Sequence, residues 1–241
     1  MKKIFAHLLV SPYLNHEAKT FNIRLISDYS EKVDGKLRLK VHSYDSFESK
    51  YTQDIDFSVD ADKSVEPFSM SFNDLEKETG CKFNATQSCL ITIENVSGRT
   101  DIPDNFFFMN LRLADVTNLK APKLNIESVV AKEKDLFEIK ISSDAVALFV
   151  WLDIETTEFV GRFSDNAFHM TEAEKVISLK TKTAVNLEEV KKYLTVKSLM
   201  NIYDKAAVPD TTKKPNSSNN IKANLALFLL NFVWVVFFKL N

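Results

Sequence analysis

An alternation of apolar and polar residues with a period of two runs through most of this 241-residue chain and limits it to a few fold classes. Successive side chains of a strand point to opposite faces, so each such stretch predicts a strand with one buried face. The composition agrees, because 19 Phe and only 4 Gly favour β structure. The alternating stretches lie at 21–25, 37–41, 55–59, 89–93 and 137–141, and they are followed by a near-continuous apolar run at 146–154 and by Val176 and Leu179.

These strands predict an all-β protein made of antiparallel sheets. Polar segments such as 33–36 separate them and are typical of turns between neighbouring strands. A strand with one apolar face needs a second sheet against it, which predicts a sandwich. Pro122 follows the aromatic stretch 106–113, so we expect one small sandwich at 15–122 and a second at 123–204, each of Ig-like size.

One short helix is predicted near the end of the second sandwich, over residues 187–194. Asn186 can cap its first amide donors, and Glu189 stands at the capping-box position three residues later. Lys191 and Lys192 lie near the negative end of the helix dipole. We expect a structural role for this helix.

The C-terminal end differs in composition from the rest of the chain. Residues 205–222 form a polar linker that cannot bury enough apolar surface to fold. Residues 223–241 follow as a hydrophobic tail, expected to be a helix. The tail is most consistent with a membrane anchor or a signal exchanged for a GPI lipid; a core helix or strand and a mistranslated end are the alternatives. Its large apolar residues include Leu225, Phe228, Phe232, Trp234 and Phe237.

Several kinds of chemistry have no support in the sequence. A net charge of -2 leaves no basic excess for nucleic acid. The 4 His and 2 Cys are scattered, so we expect no metal site, and the absence of a glycine-rich loop argues against a nucleotide cofactor. No pattern predicts that carboxylates converge as a catalytic pair. We therefore expect no catalytic residue and no cofactor. The carboxylates considered are Glu94, Asp104, Asp115, Asp153, Glu155, Asp165 and Glu172.

The only two cysteines, Cys81 and Cys89, can close a small loop in an oxidising compartment. The loop-entropy model assigns such a bridge about 2.6 kcal/mol. Two free thiols in a cytosolic chain are the alternative. Glycosylation sequons begin at Asn84, Asn95 and Asn216, and the position of Asn84 inside the predicted loop suits a solvated glycan.

Three stretches, at 149–154, 161–172 and 194–203, resemble the extreme C-terminus of animal lysosomal β-mannosidases, as residues 5–14 resemble the segment that leaves their catalytic barrel. The resemblance spans about residues 4–204. It implies two consecutive Ig-like sandwiches after a remnant of the barrel exit at 1–14. In this family the two catalytic glutamates lie on a (β/α)8 barrel that has no counterpart in this sequence.

The resemblance implies that the chain is the accessory region of a parent exoglycosidase. That parent removes terminal β-D-mannose from glycoprotein-derived oligosaccharides. By itself the chain is expected to be inactive. Its expected partner is the catalytic barrel of a parent or split β-mannosidase, in the lysosome or secretory pathway. The alternative is a non-enzymatic, membrane-tethered Ig-like interaction module.

For the residues of the stretches 149–154 and 161–172 we expect structural rather than catalytic roles. Trp151, on a long apolar strand, is predicted to plug the space between the sheets. The segment Gly161, Arg162, Phe163, Asp165 and Asn166 is interpreted as a turn in which Arg162 pairs with a carboxylate. The family has a glycine where this chain has Ala167, so a residue suited to positive φ is lost there.

Overall fold

The computed structural model describes residues 6–110 and 112–201, and in this part the predicted sandwiches are present. The first contains two antiparallel sheets, with strand orders β1-β2-β5 and β4-β3-β6-β7. Its strands are β1 (Leu8–Asn15), β2 (Thr20–Ser27), β3 (Val33–Ser43), β4 (Ser49–Val59), β5 (Ser64–Ser71), β6 (Cys89–Asn95) and β7 (Asn105–Phe108).

The second sandwich also consists of two antiparallel sheets, ordered β11-β13-β9-β8 and β12-β10-β14. A short 3₁₀ helix, Leu113–Asp115, lies on the connection from the first sandwich. The strands are β8 (Leu124–Ala131), β9 (Leu136–Ser143), β10 (Ala147–Ile154), β11 (Gly161–Phe163), β12 (Phe168–Met170), β13 (Glu174–Thr181) and β14 (Leu194–Lys197).

The period-two residues fill the space between the sheets, as predicted. In β2, for example, Phe21, Ile23 and Leu25 are fully buried while Arg24 is exposed. In β9, Phe137, Ile139 and Ile141 occupy the same position in the second core. Each core therefore forms because alternate side chains of facing sheets leave water together.

Two local predictions were wrong. The segment 33–36, interpreted as a turn, is the start of β3, where Gly35 lies against the ring of Phe57. A Cβ at Gly35 would lie 2.5 Å from Phe57 Cζ, so this glycine permits close packing rather than a turn. Residues 6–14, expected as a remnant outside the sandwich, supply most of β1, whose Leu8 and Val10 are buried in the first core.

The structure contains two helices in its described part, of which the sequence predicted one. α2 (Leu187–Tyr193) begins as expected at Asn186, whose side chain accepts a hydrogen bond from the Glu188 amide at 3.0 Å. α1 (Phe72–Thr79) was not predicted. Ser71 caps it by accepting from the Asp74 amide at 3.1 Å, and Gly80 ends it at φ 69°.

Two segments for which the sequence made predictions lie outside the described residues. These are the polar linker at 205–222 and the hydrophobic tail at 223–241, with Leu225, Phe228, Phe232, Trp234 and Phe237. Between residues 6 and 201, Leu111 excepted, no helix has the length and apolar character needed to span a bilayer.

His42 is a buried titratable group on β3, only 3% exposed. Its Nε2 lies 3.3 Å from Oγ1 of Thr92. Burial, together with the positive charge of Lys40, lowers the pKa of His42 to about 4. The folded protein therefore keeps this imidazole neutral at pH values where an unfolded chain would protonate it.

The protein is expected to lose stability in mild acid because of His42. Between the unfolded pKa of about 6.5 and the folded value, the unfolded state binds more protons, so the free energy of unfolding falls as pH falls. From pH 7.5 to pH 5 the loss is about 2 kcal/mol. Urea unfolding at both pH values measures it. His42→Gln should shrink the difference, whereas His16→Gln, at an exposed position, should not; equal losses in both variants would contradict the assignment.

Candidate functional site

The two sandwiches meet along a shared buried region that we call the junction core. Its fully buried members come from both sides: Tyr44 and Leu90 from the first sandwich, Val146 and Leu148 from the second. The Tyr44 hydroxyl donates to the backbone carbonyl of Cys89 at 3.3 Å, and burial raises the pKa of this phenol well above its ordinary value. Because the junction core belongs to both sandwiches, each covers apolar surface of the other.

A β-bulge in β10 turns Phe149 toward this junction. The register of β10 against β12 shifts between Ala147 and Val150, and Phe149 has φ 49°. Such a conformation is an outlier for a bulky residue and costs about 1–3 kcal/mol, so the surroundings must hold it. Part of that support is a hydrogen bond from the Phe149 amide to Nδ1 of His169 at 3.1 Å.

Four aromatic rings, which we call the aromatic cluster, extend the junction: Phe106 and Phe108 from β7, Phe149 from β10 and His169 from β12. The centroids of Phe106 and His169 are 4.2 Å apart with perpendicular planes, and those of Phe108 and Phe149 are 5.7 Å apart. The first pair is edge-to-face and the second is tilted. Aromatic pairs in favourable geometry contribute about 0.5–1.5 kcal/mol each beyond area burial. The cluster therefore holds β7 of the first sandwich against β10 and β12 of the second.

Beside the aromatic cluster lies an open groove of about 250 Å³, lined by residues of both sandwiches. Four carboxylates that the sequence offered as candidates line it: Glu94 and Asp104 from the first sandwich, Asp165 and Glu172 from the second. The other three candidates, Asp115, Asp153 and Glu155, are not part of its lining.

Three of the four groove carboxylates, Glu94, Asp104 and Asp165, make contacts typical of structural groups. Glu94 pairs with Lys40 at 2.9 Å, Asp104 accepts the Asn95 amide at 2.7 Å, and Asp165 accepts the Asn166 amide at 3.0 Å. A carboxylate that acts as a general acid or nucleophile must instead face a substrate. The groove can admit a polar molecule, but these contacts do not build a hydrolytic pair.

The segment predicted as a turn is divided between a strand and a bend. Gly161, Arg162 and Phe163 form β11, and a Cβ at Gly161 would lie 2.6 Å from Leu179 Cδ1 on β13. Phe163 packs against the second core. The expected pairing of Arg162 is wrong for the described part of the chain, where this exposed side chain forms no ion pair with another residue.

The side chain of Asn166 hydrogen-bonds to the backbone of β10 next to the bulge. The sequence did not predict this role. Its Oδ1 accepts the Leu152 amide at 2.8 Å, and its Nδ2 donates to the Leu152 carbonyl at 2.9 Å. The side chain therefore substitutes for a missing strand partner of β10. The neighbouring Asp165 supports the bend by accepting the Asn166 amide, as described above.

The expected position of Trp151 between the sheets is wrong. Val150 and Leu152 on either side are 0% and 1% exposed and belong to the second core, whereas Trp151 is half-buried and is not a member of it. Successive strand residues point to opposite faces, so Trp151 faces away from the inter-sheet space. The apolar run 146–154 concealed this, because its residues are apolar on both faces.

Ala167 occupies the strained position that the sequence comparison suggested. Its φ is 58°, in the left-handed region that glycine adopts freely and alanine adopts at a cost of about 1–2 kcal/mol. Ala167→Gly is therefore expected to raise the free energy of unfolding by about 1 kcal/mol. Chemical denaturation of the full chain measures this change.

Ala173 provides the matched control for that substitution. It is exposed and has negative φ, so Ala173→Gly only adds freedom to the unfolded chain and should lower the free energy of unfolding by about 0.5–1 kcal/mol. Equal changes at both positions would show that the backbone of Ala167 stores no strain.

Cys81 and Cys89 form a disulfide that joins the segment after α1 to the start of β6, with 6.0 Å between their Cα atoms. Both cysteines are buried in the first core. No group of three or more His, Cys, Asp or Glu side chains suited to a metal ion occurs among residues 6–110 and 112–201.

Comparison with known proteins shows where this pair of sandwiches recurs. Residues 19–110 match the family of the Mannosidase Ig/CBM-like domain, and residues 119–202 match the Ig-mannosidase family of Ig-fold domains. The chain therefore carries two Ig-like domains of mannosidase type, one from each of these families. The two matched ranges correspond to the first and second sandwich and meet at the junction core.

The relatives that this chain matches are much longer proteins. The beta-mannosidase of Bos taurus is 30% identical over 170 residues, which are 69% of this chain and 18% of the relative. The beta-mannosidase of Capra hircus is 30% identical over 207 residues, 84% of this chain and 22% of the relative. The chain thus spans about a fifth of the length of the curated relatives it matches.

A solved structure supports the fold. The beta-D-mannosidase of Dictyoglomus thermophilum superimposes with a TM-score of 0.61 at 19% identity, over 82% of this chain and 22% of that one. The arrangement of two sandwiches therefore also occurs within a longer protein.

Proposed function

We propose that this chain supplies the C-terminal, Ig-like accessory region of a β-mannosidase-type exoglycosidase. The observation that carries the proposal is the pair of adjacent mannosidase-type Ig domains joined by one buried junction core. The structural contacts of Glu94, Asp104 and Asp165 support a division of labour in which another part of the assembly carries out hydrolysis.

The proposed partner is a catalytic (β/α)8 barrel that cleaves terminal β-D-mannose from glycoprotein-derived oligosaccharides. A retaining barrel needs two carboxylates about 5–5.5 Å apart. We propose the division between the sandwiches near residue 122, on the connection from β7 to β8. The lysosome or secretory pathway is the proposed location, and the disulfide supports it because such bonds persist in oxidising compartments.

Sequencing the 5′ end of the transcript tests the partnership. An open reading frame that continues upstream into a barrel, or a separate barrel that co-purifies with the chain, is the expected result. A secretory start directly upstream, without a barrel partner, would overturn it in favour of a membrane-tethered Ig-like module.

That second candidate is favoured by the apolar run at 225–238, and carbonate washing of membranes tests it: release of the full chain would contradict an anchor.

The isolated chain is expected not to hydrolyse an aryl β-mannoside. The assay compares the purified full chain with a buffer blank across pH 4–7, with a complete β-mannosidase as the positive control. Turnover above the blank that follows the protein through purification would contradict the accessory role.

A further inference from the structure

We propose that Asn84 is an N-glycosylation site of the folded protein and that Asn95, which has an equally complete sequon, is not. The two sequons are Asn84-Ala85-Thr86 and Asn95-Val96-Ser97. The distinction comes from what each asparagine side chain does in the fold. It rests on the proposed secretory-pathway location, since the modifying enzyme acts there.

The Asn84 side chain is presented to solvent by a fixed backbone. Asn84 is exposed, lies inside the disulfide loop and has φ 57°, a left-handed conformation that asparagine tolerates well. Its amide donates to the Met109 carbonyl at 2.8 Å. Its side-chain amide makes no hydrogen bond to another described residue. A glycan on Nδ2 therefore displaces no contact of the fold.

The rest of the sequon is held in place by the neighbouring connection. The Ala85 carbonyl accepts from Nδ2 of Asn110 at 2.7 Å, and the Thr86 carbonyl accepts from the Thr117 amide at 2.8 Å. Together with the disulfide, these bonds fix the loop from both ends. The loop therefore keeps Asn84 outward after folding.

A hollow beside Asn84 can receive the first sugar of the glycan. It is open, has a volume of about 580 Å³, and its lining includes Thr86, Asn110, Arg112 and Asp115. Arg112 and Asp115 form an exposed ion pair, with 3.4 Å between Nε and Oδ2. Charged and amide groups of this kind are hydrogen-bond partners for sugar hydroxyls.

The Asn95 side chain is occupied by the fold. Its Nδ2 donates to the backbone carbonyls of Arg99 and of Ile102, the latter at 3.1 Å. Its Oδ1 accepts from the amide of Ser97 at 3.0 Å. A primary amide has two N–H donors, and both are used. Attaching a sugar would remove one donor and place the sugar against the 99–102 loop.

The modification itself is a transfer from a lipid diphosphate-linked oligosaccharide. Nδ2 of Asn84 forms a bond to C1 of the first sugar, the bond from C1 to the diphosphate oxygen breaks, and the proton that Nδ2 loses is taken up by solvent. The lipid diphosphate leaves. No oxidation or reduction occurs, and the side chain keeps one N–H.

The test directs the full chain into the secretory pathway of animal cells with an added cleavable signal sequence, so that entry does not depend on the proposed location. Secreted, folded protein is treated with peptide N-glycosidase in heavy-oxygen water, which marks each formerly glycosylated asparagine as labelled aspartate. Mass spectrometry then reads Asn84 and Asn95 separately, and Asn216, outside the described residues, as a third position.

We expect label at Asn84 and none at Asn95. Asn84→Gln and Thr86→Ala should each remove one step in gel mobility, whereas Asn95→Gln and Ser97→Ala should leave the mobility unchanged. Thr86→Ala keeps Asn84 itself, so a misfolded Asn84→Gln variant does not decide the result. Unlabelled Asn84, or labelled Asn95 in folded protein, would overturn the inference. Label at Asn84 with the added signal, but none in the protein expressed from its own complete transcript, would overturn the proposed location and leave the site standing.

Discussion

Replacing Tyr44 by alanine is expected to lower the free energy of unfolding by about 3–5 kcal/mol, one of the two largest effects expected from the structure. The ring is fully buried in the junction core, between side chains of both sandwiches. Its removal leaves a cavity that neither sandwich can close alone. Chemical denaturation of the full chain measures the loss.

Tyr44→Phe is the matched control. It keeps the ring and removes only the hydroxyl, whose acceptor, the Cys89 carbonyl, also receives the Met109 amide at 3.2 Å. A loss of about 0.5–1.5 kcal/mol is expected for the hydroxyl. Hydrogen exchange should report weaker protection in both sandwiches of Tyr44→Ala. Weakening confined to the first sandwich would contradict a shared core.

Removing the disulfide with the double substitution Cys81→Ala and Cys89→Ala is expected to cost about 2–4 kcal/mol. The bond restricts the unfolded chain, and the two buried sulfurs also pack in the first core. Thermal and urea unfolding of the full chain both measure the change.

Reduction of the unsubstituted chain, called the parent protein in this experiment only, provides the control for this substitution. A strong thiol reductant should destabilise the parent protein by a similar amount and leave the alanine variant unchanged. A variant as stable as the oxidised parent would mean that the loop is held by its backbone bonds alone, chiefly the one from Asn84 to Met109.

The strands and the sandwich class could be predicted because period-two alternation is a local property. Prediction from this alternation failed where the local pattern does not determine which face of a strand the tertiary structure buries. The run 146–154 is apolar at nearly every position, so the sequence could not tell which face of β10 is buried, and Trp151 was placed wrongly. α1 has only a brief signal, with Ser71 before it and Gly80 after it.

The junction was missed for a different reason. The residues of the aromatic cluster are far apart in sequence. The bulge at Phe149 contains no glycine that would have predicted its positive φ. The glycine that the family has in place of Ala167 was the one nearby signal, and Ala167 does have a positive φ. The two sequons show the same limit: the motif is identical in kind, and only the hydrogen bonds of Asn95 distinguish them.

The junction core also bears on how such a chain can evolve. A genetic event that deletes, duplicates or transplants one sandwich alone would uncover Tyr44 and Leu90, or Val146 and Leu148, on the remaining copy. Newly exposed apolar surface of that kind promotes aggregation. Recombination breakpoints between the two halves should therefore be selected against, so that the pair is inherited together.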